Sequence, residues 1–150
     1  DITIGDLCYR SYLAWESQHE VAVLSAEEPL VNEHDQYGGT HDFVAYVDGV
    51  LALLDLKTSN SIYEEHFMQV AAYGRTWNLH HPEQRIESYQ ILRLGIDKCE
   101  WYVVTPAELV QAEAGFLFLL RMPDIVAELK LLLGSGLKEV VRNENVSPVA

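Results

Sequence analysis

Three short motifs carry the polar side chains that could do chemistry. They are Gly38-Gly39-Thr40-His41-Asp42, Asp55-Leu56-Lys57-Thr58-Ser59, and the pair Gln69 and Tyr73, which are four residues apart. Paired carboxylates are ligands that Mg²⁺ prefers, and a nearby lysine can neutralise charge that develops on a phosphoryl group. If the fold brings these motifs together, the set suits metal-assisted hydrolysis of a phosphodiester.

A β-hairpin is the element predicted to position the two aspartates. Asp48-Gly49 separates two runs of β-forming residues, which is a strong signal for a two-residue loop because both residues tolerate positive φ. With this loop, Asp42 lies directly opposite Asp55 on one face of the sheet, and Lys57 follows two residues later on the same face. Directly opposed like charges destabilise a sheet, so the arrangement makes physical sense with a cation between them.

In this order and spacing, the motifs resemble those of the PD-(D/E)XK nuclease superfamily, specifically its RecB-like and lambda-exonuclease-like branch. The resemblance covers roughly residues 12–120. It is carried by Gly39-Thr40-His41-Asp42 (G-x-x-D), Asp55-Leu56-Lys57 (D-x-K) and Gln69-x-x-x-Tyr73 (Q-x-x-x-Y). Each motif alone is a weak signal, and their ordered spacing is the specific one. The resemblance implies a restriction-endonuclease-like core and Mg²⁺ or Mn²⁺ as the cofactor.

The resemblance also implies a role for each residue of the metal site. Asp42, Asp55 and the backbone carbonyl of Leu56 are expected to bind the metal, and Lys57 is expected to be the catalytic lysine. An acidic residue upstream is expected to bind the metal or its water shell. Its spacing to Asp42 favours Glu27, with Glu28 as the alternative.

The remaining motif residues are expected to meet the nucleic acid. Gln69 and Tyr73 share one face of a helix because they are four residues apart, and they would contact the DNA strand or brace the site. Thr58 and Ser59 continue the second motif, and they would contact DNA or cap the next helix.

Hydrophobic patterning predicts a mixed α/β fold, with a central sheet flanked by helices. Residues 1–134 are expected to form the nuclease-like domain, and 135–150 a mobile C-terminal tail. The predicted elements up to the hairpin are a helix at 5–18, strands at 20–26 and 27–33, and the hairpin at 41–57. A capping box at Ser61 opens the next helix, which runs to Leu79 and is followed by strands at 87–94 and 99–104. The last helix runs from Thr105 to Arg121, and Pro123 interrupts it before a short helix to Leu133.

The charge of the chain weighs against binding to nucleic acid. Its 150 residues carry a formal net charge of −13, whereas affinity for DNA comes largely from lysine and arginine. A local basic strip could compensate for this, and its candidate residues are Arg75, Arg85, Arg93 and Lys98. A homo-oligomer or a partner domain is a further expected source of affinity.

Cysteine and histidine provide no competing metal site. The two cysteines, Cys8 and Cys99, match no zinc spacing, and no iron–sulfur cluster is expected. Sparse cysteine is typical of proteins in a reducing cytoplasm, and the protein is expected there, or inside a cell as a viral or phage protein. No run of residues is apolar enough to predict a membrane span. His41 is expected to be structural, and His66 to face solvent. A chain that begins with Asp1 rather than Met suggests a fragment that lacks an N-terminal part.

Three functions are compatible with this pattern. The first is a deoxyribonuclease, more specifically an exonuclease of DNA recombination or repair that acts on ends or single strands. The second is a non-catalytic module that binds DNA ends or another partner and retains the nuclease fold. The third, a hydrolase of small phosphate esters, suits the acidity but leaves Gln69 and Tyr73 without a role. The motifs do not distinguish exonuclease from endonuclease action, or DNA from RNA.

Overall fold

The structure of the protein is a computed structural model that describes residues 1–136. Asp1–Phe116 form one compact unit, and a second unit begins at Leu117. The elements in chain order are α1 (Ile4–Glu16), β1 (Val21–Ala26), β2 (Pro29–Asn32), β3 (Tyr37–Thr40), β4 (Phe43–Val47), β5 (Val50–Lys57), α2 (Glu64–His80), β6 (Ser88–Leu94), β7 (Cys99–Val103) and α3 (Pro106–Gly136).

The first unit is built around a five-stranded mixed sheet. Its strand order is β1-β4-β5-β6-β7, and β2 and β3 form a separate two-stranded sheet. β5 and β6 are parallel, as the connection through α2 requires, and the other neighbours are antiparallel. The predicted fold class, a mixed α/β fold with a central sheet flanked by helices, is therefore confirmed.

The predicted hairpin has the predicted register. Asp48 and Gly49 form its loop with φ of 51° and 84°, and Val47 pairs with Val50. Pairing continues to Phe43 and Leu54, so the next positions along the two strands are Asp42 and Asp55.

Each face of the sheet has its own hydrophobic core. Leu51 and Leu53 of β5 belong to the core that includes Val70 and Trp77 of α2. Alternate β5 residues, such as Leu54, belong to the core that includes Trp15 of α1. Side chains alternate along a strand, so Asp55 and Lys57 lie on the α2 face.

The segment from β1 to β2 follows β3 and β4 along their length. Ala26 pairs with Phe43, and Pro29 pairs with Thr40. Between these two ladders, the Glu27 N–H donates to the Asp42 carbonyl at 2.8 Å. One antiparallel path therefore continues from the central sheet into the small sheet, and it passes directly beside Asp42.

The start of α2 differs from the prediction. The helix begins at Glu64, and the His66 ring accepts a hydrogen bond from the Tyr63 N–H (Nδ1, 3.1 Å), whereas Ser61 does not cap it. Thr58 and Ser59 do not cap it either, because the N-cap residue is Tyr63. The Ser59 hydroxyl instead donates to the Ser61 carbonyl. His66 is consequently buried, and its predicted exposure is wrong.

The last helix also differs from the prediction, because α3 is continuous through Pro123. Proline removes one intrahelical hydrogen bond. The flanking sequence nevertheless favours helix, because it is rich in leucine, methionine, alanine, glutamate and lysine. Of the predicted mobile tail, 135–136 belong to α3, and 137–150 lie outside the described residues. The extent of the nuclease-like domain, 1–134, stays a prediction.

One strand was not predicted, and no membrane span is found. β3 contains Gly38 and Gly39, which have low β-propensity, and it forms because it pairs with β2. Within residues 1–136, no helix has both the length and the apolar character needed to cross a membrane.

Packing of α2 on the sheet gives a test of the fold. A Cβ at Gly74 would lie 2.1 Å from Cε1 of Tyr89, whereas a Cβ at Gly115 would find its nearest neighbour, Cε of Met68, at 3.4 Å. We expect Gly74→Ala to reduce the free energy of unfolding by about 1–3 kcal/mol through overpacking. Gly115→Ala, the matched control, should be neutral or stabilising because alanine favours helix. Urea denaturation checks both, and equal effects would contradict this packing.

Candidate active site

The three motifs meet where β5 ends and α2 begins. Asp42 immediately precedes β4, and Asp55 and Lys57 lie at the C-terminal end of β5. Gln69 and Tyr73 lie on the facing side of α2. The hairpin register brings the aspartates together, and the crossover from β5 to β6 places α2 over them. Five of the predicted site residues thus form one cluster.

Asp42 and Asp55 are held in different surroundings. The Asp42 carboxylate is half-buried and accepts a hydrogen bond from the Leu56 N–H at 2.6 Å. Asp55 is only 2% exposed. Its Oδ2 lies 2.7 Å from Nζ of Lys57, but no donor meets this buried atom with hydrogen-bond geometry. Asp55 therefore presents a buried carboxylate oxygen whose hydrogen-bonding capacity is not fully used.

Burial dominates the ionisation of Asp55. It raises the pKa of this carboxyl from 3.8 to about 6, although Lys57 acts in the opposite direction. The negative charge of neighbouring Asp42 raises the pKa of Asp55 further. In the protein without a metal, ionising both carboxylates is thus unfavourable. A bound cation would relieve this repulsion.

A hydrogen-bonded chain connects Lys57 to α2. Lys57 Nζ donates to Oε1 of Gln69 at 2.6 Å, and Nε2 of Gln69 donates to the Tyr73 hydroxyl at 3.2 Å. The ammonium group has three protons: one is donated to Gln69, and the ion pair with Asp55 holds Nζ beside the buried carboxylate without hydrogen-bond geometry. Gln69 and Tyr73 therefore fix the position of the lysine beside the carboxylates.

Gly39 is required by close packing with Tyr73. A Cβ at position 39 would lie 2.8 Å from Cε1 of Tyr73 and 2.9 Å from its hydroxyl oxygen. Any side chain would displace the ring or the strand. The glycine of the first motif and the tyrosine of the third motif are thus two sides of one contact.

The upstream acidic residues lie next to Asp42 through their backbone. Glu27 has φ of 51° and donates its N–H to the Asp42 carbonyl, so it lies opposite Asp42 in the strand path. The Glu28 carbonyl instead accepts from the backbone N–H and the ring Nδ1 of His41. Both glutamate side chains are exposed. The backbone path is consistent with the choice of Glu27, and its metal role stays a proposal.

Thr58 and Ser59 lie beyond the cluster. Thr58 is exposed, and Ser59 is half-buried with its carbonyl accepting from Arg93 at 3.2 Å. No hydrogen bond connects either of them to the carboxylates or to Lys57 in the described part of the chain. Their predicted contact with DNA is not tested by this geometry.

The two aspartates fit a hard divalent cation. Asp42 lies close enough to raise the pKa of Asp55, and the buried Oδ2 of Asp55, although ion-paired with Lys57, accepts no hydrogen bond. Among residues 1–136, no three acidic, histidine or cysteine side chains come together as a metal site. Mg²⁺ commonly uses only one or two carboxylates and takes its remaining ligands from water and phosphate. The donor set therefore suits Mg²⁺ or Mn²⁺ and leaves ligand positions for a substrate.

The predicted basic strip is largely neutralised. Arg75 pairs with Asp35 and Glu113, and both Arg93 and Lys98 pair with Glu100. Of the four candidates only Arg85 forms no ion pair within the described residues. Acidic side chains beside three of the four cations therefore reduce the positive charge that they would offer to a phosphate backbone, and the local strip stays a prediction.

The sequence provided no signal for two features beside Asp42. One is a register shift in the β1–β4 ladder between Val23 and Ser25, and the other is the positive φ of Glu27. Glutamate is not a residue type that predicts positive φ, and a bulge depends on pairing with a distant strand. Both features alter the path of the segment that carries the upstream glutamates.

Comparison with known proteins supports the fold. No family model matches the chain. No curated protein matches it. The chain is similar to the crystal structure of a "putative exonuclease" from Eubacterium rectale, with a TM-score of 0.54 and 14% identity. The similarity covers 98% of this chain but 65% of that one, so the chain spans less than two thirds of its neighbour's length. At this identity, the likeness shows a shared fold alone.

Proposed function

We propose that the protein is a Mg²⁺- or Mn²⁺-dependent deoxyribonuclease, an exonuclease of DNA recombination or repair. The observation that carries the proposal is the buried Asp55 beside Asp42, with Lys57 paired to Asp55 on the same face of the sheet. The motif resemblance to the RecB-like and lambda-exonuclease-like branch of PD-(D/E)XK nucleases supports it. The "putative exonuclease" with a similar fold supports the nuclease part.

The carboxylates would hold the metal ion. Asp42, Asp55 and the Leu56 carbonyl would be its protein ligands, and Glu27 would bind it or its water shell. The bound ion supplies an acidified water and neutralises charge on the phosphoryl group. Asp42 also accepts from the Leu56 N–H, and this bond fixes the carboxylate relative to the neighbouring carbonyl.

Lys57 would act on the attacking water and the phosphate. Its Nζ is ion-paired with Asp55 and donates to Gln69, and its remaining protons would orient the water or stabilise negative charge in the transition state. Gln69 and Tyr73 hold this arrangement, and they would contact the DNA strand. Exposed Thr58 would donate to the phosphate backbone, and Ser59 would do so by exchanging the hydroxyl bond that it donates to the Ser61 carbonyl.

A non-catalytic module that binds DNA ends is the second candidate. It is favoured by the net charge of −13 and by the ion pairs that neutralise Arg75, Arg93 and Lys98. Opposed carboxylates without a metal are destabilising, however, and a module freed from catalysis would have no reason to retain them. A partner domain or homo-oligomer would supply the missing positive charge in either case.

Digestion of linear and closed-circular DNA tests the proposal. We expect loss of linear DNA alone, with Mg²⁺ or Mn²⁺ and not with EDTA. Lys57→Ala should reduce the rate at least about 100-fold because it removes transition-state stabilisation. Lys130→Ala, which replaces an exposed lysine of α3, is the matched control and should retain the rate.

Other outcomes of this digestion identify the alternatives. Metal-dependent cutting of both DNA forms would indicate an endonuclease. Cleavage of a small phosphodiester but not of DNA would indicate the small-ester hydrolase. Binding of DNA ends without cleavage would indicate the non-catalytic module. Wild-type rates in Lys57→Ala would contradict the assignment of the site.

The raised pKa of Asp55 predicts the sign of a pH dependence in the metal-free protein. The folded state retains this proton between pH 3.8 and about 6, where the unfolded state has lost it, so the carboxyl's contribution to stability falls as pH rises through that window. Asp55→Asn removes the effect. In EDTA above pH 7, it should raise the free energy of unfolding by up to about 3 kcal/mol, with the gain vanishing towards pH 4.

Asp48→Asn is the control with the opposite sign. Asp48 accepts hydrogen bonds from His19 and from the Glu20 N–H, and the contact with His19 is the main reason that its pKa is lowered. Its replacement should therefore reduce stability at neutral pH. Urea titrations across pH 4–8 measure both variants. If Asp55→Asn were less stable than wild type at pH 8, the pair with Lys57 would outweigh burial, contrary to this account.

A further inference from the structure

His41 is the buried polar residue whose contacts lie closest to the upstream glutamates. Its side chain is 0% exposed and lies against Trp77 of α2, with ring centroids 6.0 Å apart. The ring Nδ1 lies 2.8 Å from the Glu28 carbonyl, and Nε2 lies 3.0 Å from the Ser25 hydroxyl. A carbonyl only accepts, so Nδ1 carries a proton and donates to Glu28.

The two partners of His41 bracket an irregular segment of backbone. Ser25 follows the register shift in β1, which reorients this residue so that its side chain is buried next to His41. Glu27, between the partners, has φ of 51°, a conformation that costs a non-glycine residue energy unless the surroundings enforce it. His41 therefore holds both ends of the segment that contains the strained Glu27.

The same residues also join this segment to Asp42. The His41 N–H donates to the Glu28 carbonyl at 3.3 Å, and the Glu27 N–H donates to the Asp42 carbonyl at 2.8 Å. His41 contacts the segment through its ring and its backbone, and Asp42 contacts it through its backbone. Together they fix where Glu27 leaves the strand. Both polar groups of the buried imidazole are thus satisfied by this one segment.

We propose that His41 is a positioning residue, which sets the backbone of Glu27 so that its carboxylate can complete the metal site with Asp42 and Asp55. The inference rests on the proposed function and adds to it a residue whose effect passes through Glu27. Its expected signature is a loss of metal affinity that depends on the presence of the Glu27 carboxylate.

The test is a double-mutant cycle with Mn²⁺ affinity as the readout, measured by electron paramagnetic resonance on folded protein. His41→Leu removes both ring hydrogen bonds and should weaken Mn²⁺ binding about 10- to 100-fold, the range for residues that orient metal ligands. In a Glu27→Gln background, the same change should cost less than about 3-fold. His41→Asn, which keeps a donor near the position of Nδ1, should recover much of the affinity.

Gln90→Leu controls for general loss of stability. Gln90 is also buried and hydrogen-bonded, to Ser88 and Trp101. It pairs with Leu54, so its side chain lies on the α1 face of the sheet, opposite to the face of Asp55 and Lys57. This variant should be destabilised in thermal unfolding but should bind Mn²⁺ as wild type does. If His41→Leu folds too poorly for measurement, Ser25→Ala removes one of the two bonds and should show a smaller loss with the same dependence on Glu27.

The outcomes separate the inference from the proposed function. Equal losses from His41→Leu with and without Glu27, or no loss at all, would overturn the positioning role while leaving the metal site intact. Wild-type protein that binds no Mn²⁺ would overturn the proposed function and this inference with it. A loss confined to chains that retain Glu27 supports the inference.

Discussion

The opposition of Asp42 and Asp55 across the β4–β5 hairpin is the constraint on which the site depends. A sheet does not favour two carboxylates side by side, and burial of Asp55 increases the cost. The pKa of about 6 at Asp55 reflects that cost even with Lys57 at 2.7 Å. This part of the fold therefore places two carboxylates where ionising both is unfavourable in the absence of a further cation.

Neighbouring elements are arranged around this pair of charges. α2 supplies Gln69 and Tyr73, which hold the lysine, and Gly39 leaves room for the tyrosine ring. On the other side, the irregular path from β1 to β2 brings Glu27 next to Asp42. The stability gained in the two hydrophobic cores offsets the strain and repulsion at this end of the sheet, a division of roles common in functional sites.

The elements predicted from sequence are those specified by local signals. Asp48-Gly49 determined the loop and hence the register of Asp42 and Asp55, and the four-residue spacing placed Gln69 and Tyr73 on one face of α2. Features that depend on distant partners were missed. β3 forms through pairing despite its two glycines, and His66 is buried where its ring accepts from the Tyr63 N–H at the start of α2. The ion pairs of Arg75 and Arg93 likewise arise only in the folded chain.

Crystals grown with Mn²⁺, with diffraction data recorded on both sides of the manganese absorption edge, would test the central claim most directly. The account predicts an anomalous peak between the carboxylates of Asp42 and Asp55, within bonding distance of both and of the Leu56 carbonyl. The peak should be absent from crystals of Asp55→Asn. Wild-type crystals with no peak at this position, or with manganese bound only elsewhere, would contradict the claim that these opposed carboxylates form a metal site.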